Sequence, residues 1–341
     1  MNKKQIHRMP LSVIAGLLIF TATLCAATDT TLPDQDRTRL AEAFRIADTI
    51  DNRLWNNWGT IPFPVLLITE ETEFLLRHPS PDSTFSASGY DSLLQTEIYT
   101  RPRTYPLTLL ASFPFCGAPT TVIGQAENTE AKTSTPWVIT LLHEHFHQFQ
   151  DSHSGYYDEV DKLDLSGGDQ TGMWMLNYAF PYESEALQPG FDEMKNALGN
   201  AVNAPDSTLH EAFAAYCKAR HAFMTQLNDS DRKYYSFQLW QEGVARYTEY
   251  RVAEWAANNY RPTAAFQKLA DYTPLADLAA LQLNLIRNAP FKVSMSQFQR
   301  MSFYLIGASE AYLLDRVNPA WRDGYFTQML TLDPYFEVGS R

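Results

Sequence analysis

The stretch Trp137–His153, "WVITLLHEHFHQFQDSH", carries four of the chain's eight histidines within eleven residues. His143, Glu144 and His147 stand in the order H-E-x-x-H. On a helix the two histidines, four apart, share one face, so both imidazoles can reach one ion. The acid beside the first histidine then faces the open side of that ion, where it can take a proton from a water and hand it to a leaving group. Zinc suits this work because it is redox-inert, accepts nitrogen and oxygen ligands and brings the pKa of a bound water to about 7. Zn2+ is therefore the expected cofactor. The plain alternative is an ordinary amphipathic helix. Context favours the site: Thr135 reads as an N-cap, Pro136 as a first-turn residue, and a largely apolar lead-in follows. His145 projects from the far side of that helix, at about 100° per residue. It is expected to be solvated or to support the site from outside the ligand set.

Two residues compete for the third ligand position. His153 lies ten residues after His143, where the metzincin pattern H-E-x-x-H-x-x-G-x-x-H places its last histidine. That pattern needs a glycine where Gln150 stands, and no Met-turn can be picked out, although Met173 and Met175 follow. The other candidate is Glu242, in "LWQEGVARYTEY". This segment resembles the third-ligand helix of gluzincin metallopeptidases, above all the aminopeptidase N family, whose pattern is N-E-G-x-A-x-Y-x-E. Glu242, Gly243, Ala245, Tyr247 and Glu249 fall in step, with Gln241 at the Asn position. The resemblance implies Glu242 as a zinc ligand and Glu249 as the acid that supports a zinc histidine from behind. Chemistry agrees, because residues seven apart share a helix face and ligating histidines usually donate their other N–H to a carboxylate.

Two further fragments resemble the same family. "GQAEN" (124–128) is similar to its G-x-M-E-N strand, which implies that Glu127 holds a substrate's free amino terminus. "YLIGA" (304–308) is similar to Y-E-K-G-A, which implies that the Tyr304 phenol stabilises a developing oxyanion. The family keeps its second histidine and its glutamate within about twenty residues of each other. Here 94 residues lie between His147 and Glu242. The resemblance thus spans about residues 120–315, interrupted by a long insertion at about 154–235.

The elements that must position these groups can be read around them. Leu40, Phe44, Ala47, Ile50 and Leu54 recur at helical spacing, with Asp34 as the cap. Val65–Ile68 reads as a buried strand turning into a helix at Thr69. "TEIYTR", "LTLLASF" and "TTVIGQA" read as short strands. Residues 154–182 read as a long loop, its acids solvated and its aromatic run "GMWMLNYAFPY" packed. Segments 207–227, 236–259 and 295–317 read as helices. The expected fold class is α+β: a zincin (thermolysin-like) core with a small β-sheet and a predominantly helical C-terminal part. Residues 28–130 form an N-terminal α/β part with an active-site edge strand, and residues 131–341 a helical zinc-binding part.

Lys3, Lys4 and Arg8, the apolar run 11–24 and Cys25-Ala26-Ala27 read as a signal peptide over 1–27. The protein is then secreted or periplasmic, without a membrane span once the signal is removed; Leu24 before Cys25 disfavours a lipoprotein. Removing that segment takes three basic residues and moves the formal charge from −12 to −15. Such acidity argues against nucleic acid as a partner. The serines form no G-x-S-x-G elbow. Cys116 and Cys217 could form a disulfide or stay apart. The expected function is an exported zinc-dependent metallohydrolase acting on a peptide or protein substrate, with Glu144 activating a water. The alternatives are a metzincin-like endopeptidase using His153, and a zincin-fold binding protein without catalysis.

Overall fold

The computed structural model describes residues 31–337, so the expected signal segment lies outside the described residues. The chain opens with helix α1 (Asp34–Ile50), whose apolar stripe Leu40, Phe44, Ile46 and Ile50 is fully buried. Six strands follow: β1 (Val65–Ile68), β2 (Thr72–Leu76), β3 (Ser86–Asp91), β4 (Thr96–Pro102), β5 (Leu110–Phe115) and β6 (Ala118–Gly124). They form one mixed sheet in the order β3-β4-β2-β1-β6-β5, with β1 and β6 parallel and every other pair antiparallel. The expected helix at Thr69 is instead β2. The chain turns through Glu70 and Glu71 and pairs Phe74 with Leu67, because Thr72–Leu76 is buried along its whole length.

Side chains alternate across the sheet, as the two-residue period of a strand requires. Val65, Leu67, Phe74, Leu76 and Ile123 enter the main core with the helices. Leu66, Ile68, Leu75 and Val122 face the other way, under Phe85 and Phe115. Covering on both faces is why β1 reads as an unbroken apolar run.

The helices are α2 (Ser134–Ser152), α3 (Tyr156–Lys162), α4 (Trp174–Asn177), α5 (Gln188–Asn203), α6 (Leu209–Met224), α7 (Asp229–Gln238), α8 (Val244–Asn259), α9 (Ala264–Gln267), α10 (Leu275–Lys292), α11 (Met295–Phe298) and α12 (Met301–Val317). Together with the sheet they make an α+β fold. The chain between α7 and α8 is a π turn, Leu239–Gly243, so residues 229–259 run as one helix with a widened middle. α2 begins at Ser134, after Thr133. Thr135 is therefore a first-turn residue, and its hydroxyl donates to the Thr273 carbonyl rather than capping. Residues 154–182 hold two short helices where a loop was expected. Cys116 and Cys217 are not joined in a disulfide. No helix among the described residues is long and apolar enough to cross a membrane.

α2 lies between the sheet and the helices. Trp137 donates its indole N–H to the Gly124 carbonyl (2.9 Å), Gln148 its amide to Pro64 (2.8 Å), and Ser112 its hydroxyl to the Glu144 carbonyl (3.0 Å). These bonds tie α2 to β6, to the lead-in of β1 and to the edge strand β5. On its other side α2 packs against α8, which brings the Glu242 turn alongside.

Candidate metal centre

α2 presents His143 and His147 on one face, and the π turn brings Glu242 opposite them. The two Nε2 atoms are 3.1 Å apart, and Glu242 Oε2 lies 3.3 Å from His147 Nε2 and 3.9 Å from His143 Nε2. Around a tetrahedral zinc, with bonds of about 2.0–2.1 Å, neighbouring ligand atoms stand about 3.3 Å apart. The three distances bracket that figure, and the ligand atoms all lie within 4.8 Å of one another. Donor atoms gathered so closely around a carboxylate need a cation among them, a proton or a metal ion. Burial opposes a charged His147, yet Glu242, with Glu144 behind it, outweighs burial and pushes its pKa up to about 9. Burial likewise opposes ionised Glu242, but His147, Arg300 and His143 hold its carboxyl well below the usual range.

His147 is hydrogen-bonded from behind, whereas His143 Nδ1 has Glu249 near it but makes no hydrogen bond. His147 Nδ1 lies 2.6 Å from the Gln150 side-chain oxygen. The Gln150 amide donates in turn to the Gln241 carbonyl (3.1 Å) and to the Tyr325 hydroxyl (2.7 Å), which donates to the Trp240 carbonyl (2.7 Å). A donor at His147 Nδ1 leaves Nε2 free to ligate. His143 Nδ1 is 3.5 Å from Glu249 Oε2. Burial works against the Glu249 charge, but Arg246 (2.7 Å), His143 and Gln282 (3.1 Å) hold its pKa below the ordinary value.

The π turn sets the Glu242 position. A widened turn of this kind often marks a functional site in a helix. Its Gly243 lies directly on Gly307 of α12, where a Cβ on Gly243 would come within 2.4 Å of the Gly307 Cα. The glycines of "QEGV" and "LIGA" are therefore one contact, which seats the Glu242 turn on the helix that carries Tyr304. Trp240 stacks on Tyr325, ring centroids 4.5 Å apart and nearly parallel, and locks the turn from inside.

Glu144 is buried, and its Oε2 makes no hydrogen bond. An unpartnered buried carboxylate oxygen is costly. Tyr304 lies with its ring parallel to that of His143, centroids 6.5 Å apart. Burial, followed by the Glu242 charge, pushes its pKa well above the ordinary phenol value, so the hydroxyl keeps its proton. Arg300, one turn earlier, donates from Nη1 to the Tyr304 hydroxyl (2.8 Å) and to Glu242 Oε1 (3.3 Å). On α2, Asp151 is pushed by burial up to about 7, with Glu144 adding to the rise and His147 opposing it.

The remaining sequence candidates lie elsewhere. His153 follows the last residue of α2 and stacks on Phe326 at 4.5 Å. It is outside the group of converging ligand atoms. Glu127 sits in a short 3-10 turn after β6 rather than on a strand, and Arg39 pairs with both its oxygens at 2.7 and 3.1 Å. His145 is buried, not solvated. It stacks between Phe63 (4.0 Å) and Trp58 (5.4 Å), and burial pushes its pKa down to about 4. The aromatic run of the insertion packs as expected: Phe180 and Tyr182 lie on Phe303, next to Tyr304, and Tyr178 stacks on Tyr234. Gln150, Arg246 and Arg300 were not singled out from sequence. Helical spacing could have found all three, since Gln150 is three residues from His147, Arg246 three from Glu249 and Arg300 four from Tyr304.

Against known proteins, no family model matches the chain, and no curated protein or solved structure matches it.

Proposed function

We propose that this protein is a zinc-dependent metallohydrolase of gluzincin type, cleaving peptide bonds, with His143, His147 and Glu242 as the ligands. The observation that carries the reading is the convergence of these ligand atoms at 3.1, 3.3 and 3.9 Å beside the unpartnered Glu144 carboxylate. When bound, a zinc ion supplies Lewis acidity toward a carbonyl and a water that is easily deprotonated. Glu144 takes the proton from the attacking water and returns it to the departing amine. Tyr304 donates its hydroxyl hydrogen to the oxygen that gains charge, a donor in place before the reaction begins. Arg300 fixes that hydroxyl from one side, and Gln150 and Glu249 orient the two imidazoles. The edge strand β5, tied to α2 at Glu144, offers a free side against which an extended substrate can lie. Glu127 is already paired with Arg39 through both carboxylate oxygens, so it is not assigned to a substrate's amino terminus.

Metal analysis of the purified chain tests the ligand set. One zinc per chain is expected in the unsubstituted protein and in His153→Ala, with the zinc lost in Glu242→Ala. Loss in His153→Ala alone would make the metzincin arrangement correct. Glu144→Gln is expected to keep its zinc and lose peptide hydrolysis. Undiminished hydrolysis in that variant would remove the proposed general base.

A further inference from the structure

Two guanidinium groups stand at the mouth of the site, and the chemistry above gives full employment to neither. Arg300 and Arg246 lie over the Tyr304 ring at 5.2 and 5.9 Å from its centroid. Their side chains are 24% and 37% exposed, against 7% to 12% for His143, His147 and Glu242. The ligands are thus at the bottom and the arginines at the rim. Each arginine is held through a single nitrogen: Nη1 of Arg300 to Glu242 and Tyr304, and Nη1 of Arg246 to Glu249. Among the described residues, neither Nε nor Nη2 of either side chain donates a hydrogen bond. In a guanidinium these two nitrogens form one edge, the fork that matches the two oxygens of a carboxylate.

Charge points the same way. Glu144, Glu242 and Glu249 set three negative charges against two guanidinia and a divalent ion, leaving the loaded site singly positive. Asp151, on the Glu144 side, brings it to neutral at most. The chain as a whole carries a formal charge of −12, so a neutral-to-positive site stands out from an acidic molecule and attracts an anionic group. Tyr182, from the insertion, is half-buried near Arg300 and feels its charge. With Phe303 behind it, Tyr182 gives the cationic rim an aromatic wall.

We propose that Arg300 and Arg246 form a recognition site for a substrate carboxylate close to the scissile bond. The carboxylate is a free C terminus or an acidic side chain. The proposal rests on the peptidase reading of the site, and its test is a binding measurement that stands or falls without turnover. The zinc-loaded Glu144→Gln chain is titrated by calorimetry with three N-acetylated hexapeptides of one sequence. One ends in a free carboxylate, one in an amide, and one is the amide with a single internal glutamate.

At least one carboxylate-bearing peptide is expected to bind tenfold or more tighter than the plain amide, the scale of a charge-assisted fork. Which peptide gains assigns the source of the carboxylate. Adding Arg246→Gln is expected to bring the preference below about threefold, and Arg246→Lys to restore it only in part, because an ammonium cannot form the fork. Arg300→Gln is expected to do the same, with zinc content and circular dichroism as controls. Arg246 is the more exposed residue, so its variants carry the test if Arg300→Gln fails to fold. Equal binding of all three peptides overturns the proposal, as does binding of none at millimolar concentration or a preference that survives Arg246→Gln. Selective binding without cleavage of any peptide by the unsubstituted chain removes the peptidase reading and keeps the carboxylate site. Cleavage without selectivity does the reverse.

Discussion

Replacing Gly243 with alanine tests how far the metal centre depends on one backbone contact. The residue has ordinary right-handed helical dihedrals, φ −64° and ψ −44°, so on propensity alone alanine would gain about 1 kcal/mol. The new Cβ would sit 2.4 Å from the Gly307 Cα and 2.9 Å from its carbonyl carbon. Carbon atoms pack at about 3.5–4 Å, so the π turn and α12 must separate by about 1 Å. Both neighbours are backbone, and no side chain can swing aside to relieve the clash. Overpacking of this kind costs about 1–3 kcal/mol. Set against the helix gain, the net loss is roughly 0–2 kcal/mol, a fall in Tm of no more than a few degrees. The metal responds far more sharply. A metal site tolerates about 0.2 Å in its ligand distances, and the ligand is the residue next door. Zinc affinity, measured by competition with a chromophoric chelator, is expected to fall tenfold to about a hundredfold. An unchanged affinity together with a raised Tm would show that the Gly243–Gly307 contact does not position Glu242.

Three further outcomes are expected. Gln150→Ala removes the acceptor behind His147 and the link to Gln241, and should weaken zinc about ten- to a hundredfold in the same chelator competition. Tyr304→Phe should lower kcat/KM for a peptide substrate about a hundredfold with zinc content unchanged; a change confined to KM would mean that the hydroxyl only binds substrate. His145 sets an acid limit on stability. Its folded pKa of about 4 lies below the ordinary 6.5, so between these values the unfolded chain binds the extra proton. The folded state keeps this stability above pH 6.5 and loses it as pH falls toward 4, by on the order of 3 kcal/mol. Denaturant unfolding at pH 7 and pH 4.5 should show this loss in the unsubstituted chain and a smaller one in His145→Phe; equal slopes in both would place the acid sensitivity elsewhere.

The parts of the site legible from sequence were those whose geometry is local. His143 and His147 lie on one face because they are four apart on a helix, and Glu242 and Glu249 repeat at seven. Seeing Glu242 as partner to a helix whose His147 lies 95 residues earlier needed the whole run "EGVARYTE", since spacing within one helix says nothing about what faces it. The π turn was not legible, because it is one extra residue in a helix whose composition is otherwise ordinary. The surroundings of His145 were not legible for a related reason. Helix geometry alone leaves His145 either solvated or supporting the site from outside the ligand set, whereas Phe63 and Trp58 arrive from before β1 to cover that side of α2. Glu127 lies where the "GQAEN" fragment puts it, after β6, but Arg39 comes from α1, 88 residues back. Strand β2 was hidden by the polar run "TEETE" (69–73) around its turn: Thr69 followed by Glu70 and Glu71 reads as a helix start, and only the pairing with β1 makes Thr72–Leu76 a strand.

The position of the site follows from how the core is built. α2 is held by the sheet on one side, through Gly124, Pro64 and Ser112, and by α8 on the other. Its ligand face is therefore fixed relative to both layers before any metal binds. Glu242 is delivered by a different element, and its register is set by three contacts of distinct kinds. Gly243 meets Gly307 backbone to backbone, Trp240 stacks on Tyr325, and Gln150 bridges the Gln241 carbonyl and the Tyr325 hydroxyl. Tyr325 in turn packs on Trp55 and Phe146, the latter on α2 itself. The distance between the two ligand-bearing elements is thus a property of buried aromatic packing, which resists sub-ångström change. A carboxylate held this way is preorganised, so a zinc ion bound as proposed would meet three ligand atoms already in place. The cost of gathering them is met by the interior contacts of Trp240, Tyr325 and Phe146, and a change that loosens those rings should weaken metal binding without touching a ligand.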